Sequence, residues 1–239
     1  MIKIDVYIDA ETVPPILNAK QLEDFKNNLK VPGNIKKEAT IIQWREDNWL
    51  EKYKKMATDT NRANILTLGF SLNKKQPIVF INDEFDHNDL LNSFYEKIKE
   101  EAIIKGKEQD IEITKEDLEG DDFMSFININ WYGFNIRHFD LDLLWKHAIK
   151  CRNKKVAKLI PRKRYDNSVK DIMEIFTTKS NEYISQEEVC DILGLKGKPN
   201  DIDGSKVYDY YIAGKVDEIA AYNHFDIEKV IELSEILDI

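Results

Sequence analysis

Two carboxylates, Asp9 and Glu11, stand two residues apart at the end of an alternating run. In that run Ile2, Ile4, Val6 and Ile8 point one way, and Lys3, Asp5, Tyr7 and Asp9 the other. Residues two apart in a strand share a face, so this spacing predicts that Asp9 and Glu11 project side by side at the strand's C-terminal end, opposite the apolar face. Adjacent carboxylates repel unless a cation lies between them, and a divalent cation takes such oxygen ligands. The D-x-E spacing recurs elsewhere among 44 acidic residues, Asp110 and Asp226 included, but only its first copy follows an alternating strand. A plain polar strand end is the competing reading of that copy.

Near the other end of the chain, Ile219, Tyr222, Asp226, Val230, Leu233 and Leu237 recur at three-and-four spacing. Asp226 therefore falls on the apolar stripe of a helix, with Tyr222 one turn before it on the same face. A carboxylate on such a stripe is costly to bury unless it is paired or coordinated. In a second reading the helix breaks near Phe225, which leaves Asp226 in solvent as a new N-cap. A third carboxylate, Asp140, ends the run Gly133-Phe-Asn-Ile-Arg-His-Phe-Asp140 and opens a helix. Its charge there suits the helix dipole, so a capping role stands beside a chemical one.

These residues need elements to hold them. The pattern predicts a strand over 2–9 stopped by Pro14-Pro15, and a helical excursion over 16–60 broken at Pro32-Gly33. A hairpin follows, with strands over 63–72 and 77–81 joined by a turn at 73–76, and then a helix over 88–104. Residues 105–121, acidic and flanked by Gly106 and Gly120, read as a loop or insertion. The apolar run 123–132 suits a central strand ending at Gly133. Leu141, Leu144, Trp145, Ala148 and Ile149 mark the helix that follows, and another helix is expected over about 168–177, with Asp171 near its start. Ser185-Gln-Glu-Glu188 is a capping box, Gly194 is a helix stop, and 205–238 is helical with a break at Gly214. Three early strands in a meander, then strands alternating with helices, predict one α/β domain with a mixed sheet.

The chain has 239 residues, 42% apolar and 33% charged, with a formal net charge of −9. That composition fits a soluble globular protein and argues against a passive nucleic-acid binder, whose footprint is basic. It is compatible with a metal nuclease, which concentrates carboxylates to hold cations. No run has the eighteen or so apolar residues of a membrane span, and the N-terminus reads as a strand rather than a signal peptide. Cys151 and Cys190 lie far apart without metal-ligand spacing, which predicts a reducing, cytoplasmic setting and no zinc site. One basic stretch stands out: Lys146, Lys150, Arg152, Lys154, Lys155, Lys158, Arg162, Lys163 and Arg164, with no acid among them. It reads either as a track for backbone phosphates or as a solvated face.

Taken together, D-x-E on a first strand, N-x-x-x-F-D opening a helix and Y-x-x-x-D on a last helix resemble the three motifs of the DEDD superfamily, the DnaQ-like 3′–5′ exonucleases. Tyr222 resembles the tyrosine (DEDDy) branch; the histidine branch would need His where this chain has Ala221. The group it resembles most is the predicted 3′–5′ exonucleases related to the proofreading domain of family-B DNA polymerases. Asn135-Ile-Arg-His-Phe-Asp140, Asp201-Ile-Asp-Gly204 and Gly214-Lys-Val-Asp-Glu-Ile-Ala-Ala-Tyr222 carry that likeness. It covers residues 1–12 and about 61–238, is faint across 13–60 and 105–122, and departs from the usual pattern at Ala10 and His224.

The resemblance implies a ribonuclease H-like α/β fold: a mixed central sheet, with a three-strand antiparallel meander plus parallel strands, flanked by helices. It implies a single domain over 1–239 with insertions at about 16–60 and 105–121. Its implied catalytic residues are Asp9, Glu11, Asp140, Tyr222 and Asp226, and the four carboxylates would hold two divalent ions, Mg²⁺ or Mn²⁺. Asp9 would bridge both ions, Glu11 and Asp226 would complete the first shell, and Asp140 would serve the second. Tyr222 would orient the attacking water. Ala10, Thr12, Asn135, Arg137, Phe139 and Tyr222 are the implied substrate contacts, with His138 a further phosphate contact; for Phe139 plain core packing is an equal reading, and for Asp171 a helix cap. The implied substrate is nucleic acid, single-stranded DNA with a free 3′ end, and a replication or repair protein is the implied partner. The alternatives are an inactive nucleic-acid or partner-binding module on the same fold, an RNA-directed exoribonuclease, and a phosphohydrolase acting on mononucleotides.

Overall fold

The alternating N-terminus becomes a long central strand, β1 (Ile2–Val13). The structure, a computed structural model, describes residues 1–111, 113, 117, 123–163, 165–177, 182–197 and 202–239. The other strands are β2 (Asn64–Leu72), β3 (Ile78–Ile81), β4 (Ile127–Gly133) and β5 (Val169–Asp171). In chain order the helices are α1 (Ala19–Asn27), α2 (Glu38–Lys54), α3 (His87–Glu108), α4 (Phe123–Phe126), α5 (Asp140–Lys150), α6 (Lys154–Leu159), α7 (Ile172–Phe176), α8 (Gln186–Ile192), α9 (Val207–Ile212) and α10 (Val216–Ile236). No helix among the described residues is long and apolar enough to cross a membrane.

The sheet order is β3-β2-β1-β4-β5. β1 pairs antiparallel with β2, and β2 with β3; β1 pairs parallel with β4, and β4 with β5. This is the expected meander extended by parallel strands. Ile2, Ile4, Val6, Ile8 and Ala10 fill a core shared with α3, α5 and α6. The opposite face is covered too. There Tyr7 stacks on Tyr132 at 4.6 Å and packs with Ile227, Val230 and Leu233 of α10, while Val13 packs with Ile219 and Tyr222. The side of β1 that carries Asp9 and Glu11 is therefore the side that receives α10.

Several boundaries differ from the sequence reading. β1 continues to Val13, because Ala10, Glu11, Thr12 and Val13 are all buried and no alternation marks the extension. The central strand starts at Ile127, not at 123. Phe123–Phe126 form a helical turn instead, with Phe123 edge-on to Tyr95 at 5.6 Å, a choice an unbroken apolar run does not reveal. The expected 168–177 helix is a three-residue strand followed by α7, too short to show a period. α3 runs on to Glu108, through Gly106; a Cβ there would lie 2.8 Å from Ile113 Cδ1, so this glycine marks close packing rather than a boundary. Most of the rest of the expected 105–121 insertion lies outside the described residues, as do Arg164 and Asp201. α10 is unbroken through Phe225, which removes the reading of Asp226 as an exposed N-cap.

Candidate active site

The parallel pairing of β1 with β4 ends at Tyr7 and Tyr132. Beyond it the two strands separate, and the chain after β4 turns back over the end of β1. Gly133 permits this: a Cβ there would lie 2.7 Å from the carbonyl oxygen of Ile8. The turn delivers Asp140, at the start of α5, to β1, where its Oδ1 accepts the backbone N–H of Ala10 at 2.9 Å. Asp140 thus satisfies a backbone donor that the sheet has released.

From the other side α10 lays Tyr222 and Asp226 against Asp9 and Glu11. Asp9, Glu11 and Asp226 each offer a carboxylate oxygen, and these oxygens lie within 4.8 Å of one another. Glu11 and Asp226 are buried. Just beyond Glu11 the β1–β2 register shifts, a bulge of the kind that re-aims side chains beside active sites. Asp140, 2% exposed, has its carboxyl held well above the usual carboxylate range, first by burial and then by the charge of Asp9. The Tyr222 phenol is likewise pushed far up, by burial first, then by the charges of Glu11, Asp226 and Asp9, and its hydrogen bond to Asp226 adds to the effect. Hard oxygen donors drawn together at this density fit a divalent cation such as Mg²⁺ or Mn²⁺, which would offset their mutual repulsion.

The remaining expected substrate residues line the turn and the strand end. Asn135 sits in the left-handed region at φ 59°. Its N–H and that of Arg137 donate to Asp171 Oδ1 and Oδ2 at 2.8 and 3.0 Å, so Asp171 ties the turn to β5 in addition to capping α7. Arg137 Nε donates to Glu174 at 3.1 Å and its Nη2 to the Val169 carbonyl at 3.1 Å. Phe139 is partly buried against the main core. Ala10 is 6% exposed, and the Thr12 hydroxyl donates to the Ala57 carbonyl, securing the strand end to the helical excursion. Of the basic stretch, Lys146 and Arg162 pair with Asp142 at 2.6 and 3.0 Å, and Lys150 donates to the Asn61 carbonyl.

Two residues at this site had no place in the sequence reading. Asn223, fully buried next to Tyr222, donates through Nδ2 to Asp9 Oδ2. Gly69 on β2 is the register partner of Asp9, and a Cβ on it would lie 2.5 Å from Asn223 Oδ1. A glycine inside a strand pattern signals such close approach, so Gly69 was findable from sequence. Asn223 carried no comparable sign.

A family model described as a predicted 3′–5′ exonuclease related to the exonuclease domain of PolB matches residues 105–230, which include Asp140, Tyr222 and Asp226. No curated protein matches the chain. Among solved structures, the family B DNA polymerase from the hyperthermophilic archaeon Pyrobaculum calidifontis is similar, with a TM-score of 0.52 and 13% sequence identity. The likeness covers 98% of this chain and 24% of the polymerase chain, so the chain spans about a quarter of that protein's length. At this identity the likeness speaks to fold, and with the mixed five-stranded sheet it identifies a ribonuclease H-like α/β architecture.

Proposed function

The chain belongs to the family of predicted 3′–5′ exonucleases related to the exonuclease domain of PolB, and from that premise we propose that it removes nucleotides from the 3′ end of single-stranded DNA with two divalent metal ions. The observation that carries this reading is the convergence of Asp9, Glu11 and Asp226 within 4.8 Å, beside an Asp140 anchored to Ala10. In this reading residues 1–239 form one catalytic domain, with 16–60 and part of 105–121 as insertions.

Asp9, Glu11 and Asp226 would hold one ion, and Asp9 with Asp140 the second. Such ions supply an activated water and charge stabilisation for the leaving 3′ oxygen. Burial and three neighbouring carboxylates oppose ionisation of the Tyr222 phenol. In this reading it would orient the attacking water through its hydroxyl. Asn135 would hydrogen-bond the terminal nucleotide from the turn, and Phe139, packed at the edge of the main core, would stack against it.

The test is digestion of a 5′-labelled single-stranded DNA oligonucleotide with Mg²⁺ or Mn²⁺, beside Asp9→Ala and EDTA controls. A ladder shortening from the 3′ end and lost in both controls is expected. An intact DNA substrate, with RNA also intact, would overturn the reading in favour of a binding module.

A further inference from the structure

A cavity of about 250 Å³ lies against the first turn of α5, lined by Arg137, His138, Asp142, Arg162 and Lys163 among others. The catalytic reading makes no use of it. Its wall is cationic in a chain whose formal net charge is −9. The carboxylate in the wall, Asp142, is already met by Lys146 at 2.6 Å and Arg162 at 3.0 Å. The Arg162 guanidinium lies over the Trp145 ring, 4.1 Å from its centroid, and this contact together with the Asp142 ion pair restrains its donor fork. Arg137 spends Nε and Nη2 on Glu174 and Val169, while its Nη1 is buried without a hydrogen-bond partner. A planar fork held in place, with further cations around it, suits the tetrahedral oxygens of a phosphate.

Position gives the phosphate its source. Leu141 and Asp142 line the cavity and directly follow Asp140 on α5, so the cavity adjoins the helical turn that carries the fourth carboxylate, on another face of the helix. We propose that this cavity binds a backbone phosphodiester of the strand whose 3′ end reaches the carboxylate cluster. The proposal rests on the reading above that the substrate is nucleic acid. It also gives Arg162 and Lys163, from the basic stretch, a specific task.

The experiment is fluorescence anisotropy of a 5′-labelled oligothymidylate with the full chain in EDTA, where binding is read without hydrolysis, over a KCl series. An Arg162→Gln/Lys163→Gln variant is compared with Lys97→Gln/Lys105→Gln, which removes the same charge from ion pairs on the outer face of α3. Lys163→Gln alone accompanies them, because it leaves the Asp142 network intact. The cavity variants are expected to bind more weakly, with a salt slope lowered by roughly 0.7 for each phosphate of a single strand that they no longer neutralise, and the α3 variant should match wild type. Equal weakening in both double variants would reduce the effect to net charge and overturn the proposal. Unchanged binding in the cavity variants, with wild type still shortening DNA from its 3′ end, would overturn the cavity alone and leave the exonuclease standing. A wild type that neither binds nor cleaves would overturn both. Inorganic phosphate that protects wild type against heat, while oligonucleotide binding does not depend on Arg162 or Lys163, would assign the cavity to free phosphate and overturn the strand reading.

Discussion

The Asn223 side-chain amide donates to Asp9 Oδ2 at 2.5 Å from a position directly above Gly69, the residue paired with Asp9 across the β1–β2 ladder. Asp9 is thus aimed by a residue from α10 that reaches it only because β2 carries no side chain at that point. Partners that orient a metal ligand matter to affinity nearly as much as the ligand itself, and their removal costs about 10- to 100-fold. Asn223→Leu keeps the volume and removes the donor. Its Mn²⁺ affinity, measured by electron paramagnetic resonance, is expected to fall within about that range. An unchanged affinity would make Asn223 a packing residue only.

Gly69→Ala tests the same geometry from the other strand. The added methyl has to displace Asn223, at a stability cost of about 1–3 kcal/mol for overpacking a filled space. The variant is expected to fold, to melt earlier and to lose Mn²⁺ affinity, although Gly69 has no side chain to coordinate anything. Combining it with Asn223→Ala should recover part of the stability, since the alanine pair relieves the clash; equal destabilisation in the double variant would refute the coupling.

Asp171 fixes the turn that precedes Asp140, receiving the N–H groups of Asn135, Arg137 and Met173 at 2.8, 3.0 and 3.2 Å. Asp171→Ala leaves these donors without their acceptor and is expected to cost about 2–3 kcal/mol of stability. Asp140 has its own anchor on Ala10, so Mn²⁺ affinity should hold while KM for the oligonucleotide rises. A fall in metal affinity alongside the rise in KM would show that the turn and the cluster are one mechanical unit.

What the sequence made legible follows from where each signal resides. Asp226 was readable because it sits on the apolar stripe of a long helix, α10, where a polar residue stands out; Asp9 and Glu11 were readable from their two-residue spacing at the end of the alternating run of β1. Asn223 was hidden because its burial depends on the absence of a side chain on a distant strand, a relation no local period encodes. β5 was hidden for a different reason: its three residues form a strand because β4 offers an edge, with Trp131 N–H donating to the Ser168 carbonyl at 2.7 Å beside it. Tertiary pairing, rather than propensity, decides such a segment. Phe123–Phe126 likewise turns helical against Tyr95 of α3.

Acid sensitivity is built in away from the site. His87 and His147 stack with ring centroids 4.0 Å apart. His87 Nε2 accepts the Ile65 N–H at 3.1 Å, and His147 Nε2 lies 3.0 Å from the Ala63 carbonyl, so both rings suit the neutral form, one as acceptor and one as donor. Burial, then the neighbouring His87, pushes His147 down to about 3; burial, then Lys150, lowers His87, with Asp86 opposing. An unfolded histidine titrates near 6.5, so between the two values the unfolded chain binds more protons and stability rises with pH. The contribution is present above about 6.5 and is lost as pH falls toward the folded value. At pH 5 the loss for His147 alone is about 2 kcal/mol relative to pH 7. Urea unfolding of wild type and His147→Gln at both pH values isolates this from the carboxylates, which titrate in both proteins. The expected result is a wild-type profile steeper by about 2 kcal/mol over that interval. Parallel profiles would mean that the stacked pair does not stay neutral, and the acid sensitivity would then have to come from other groups.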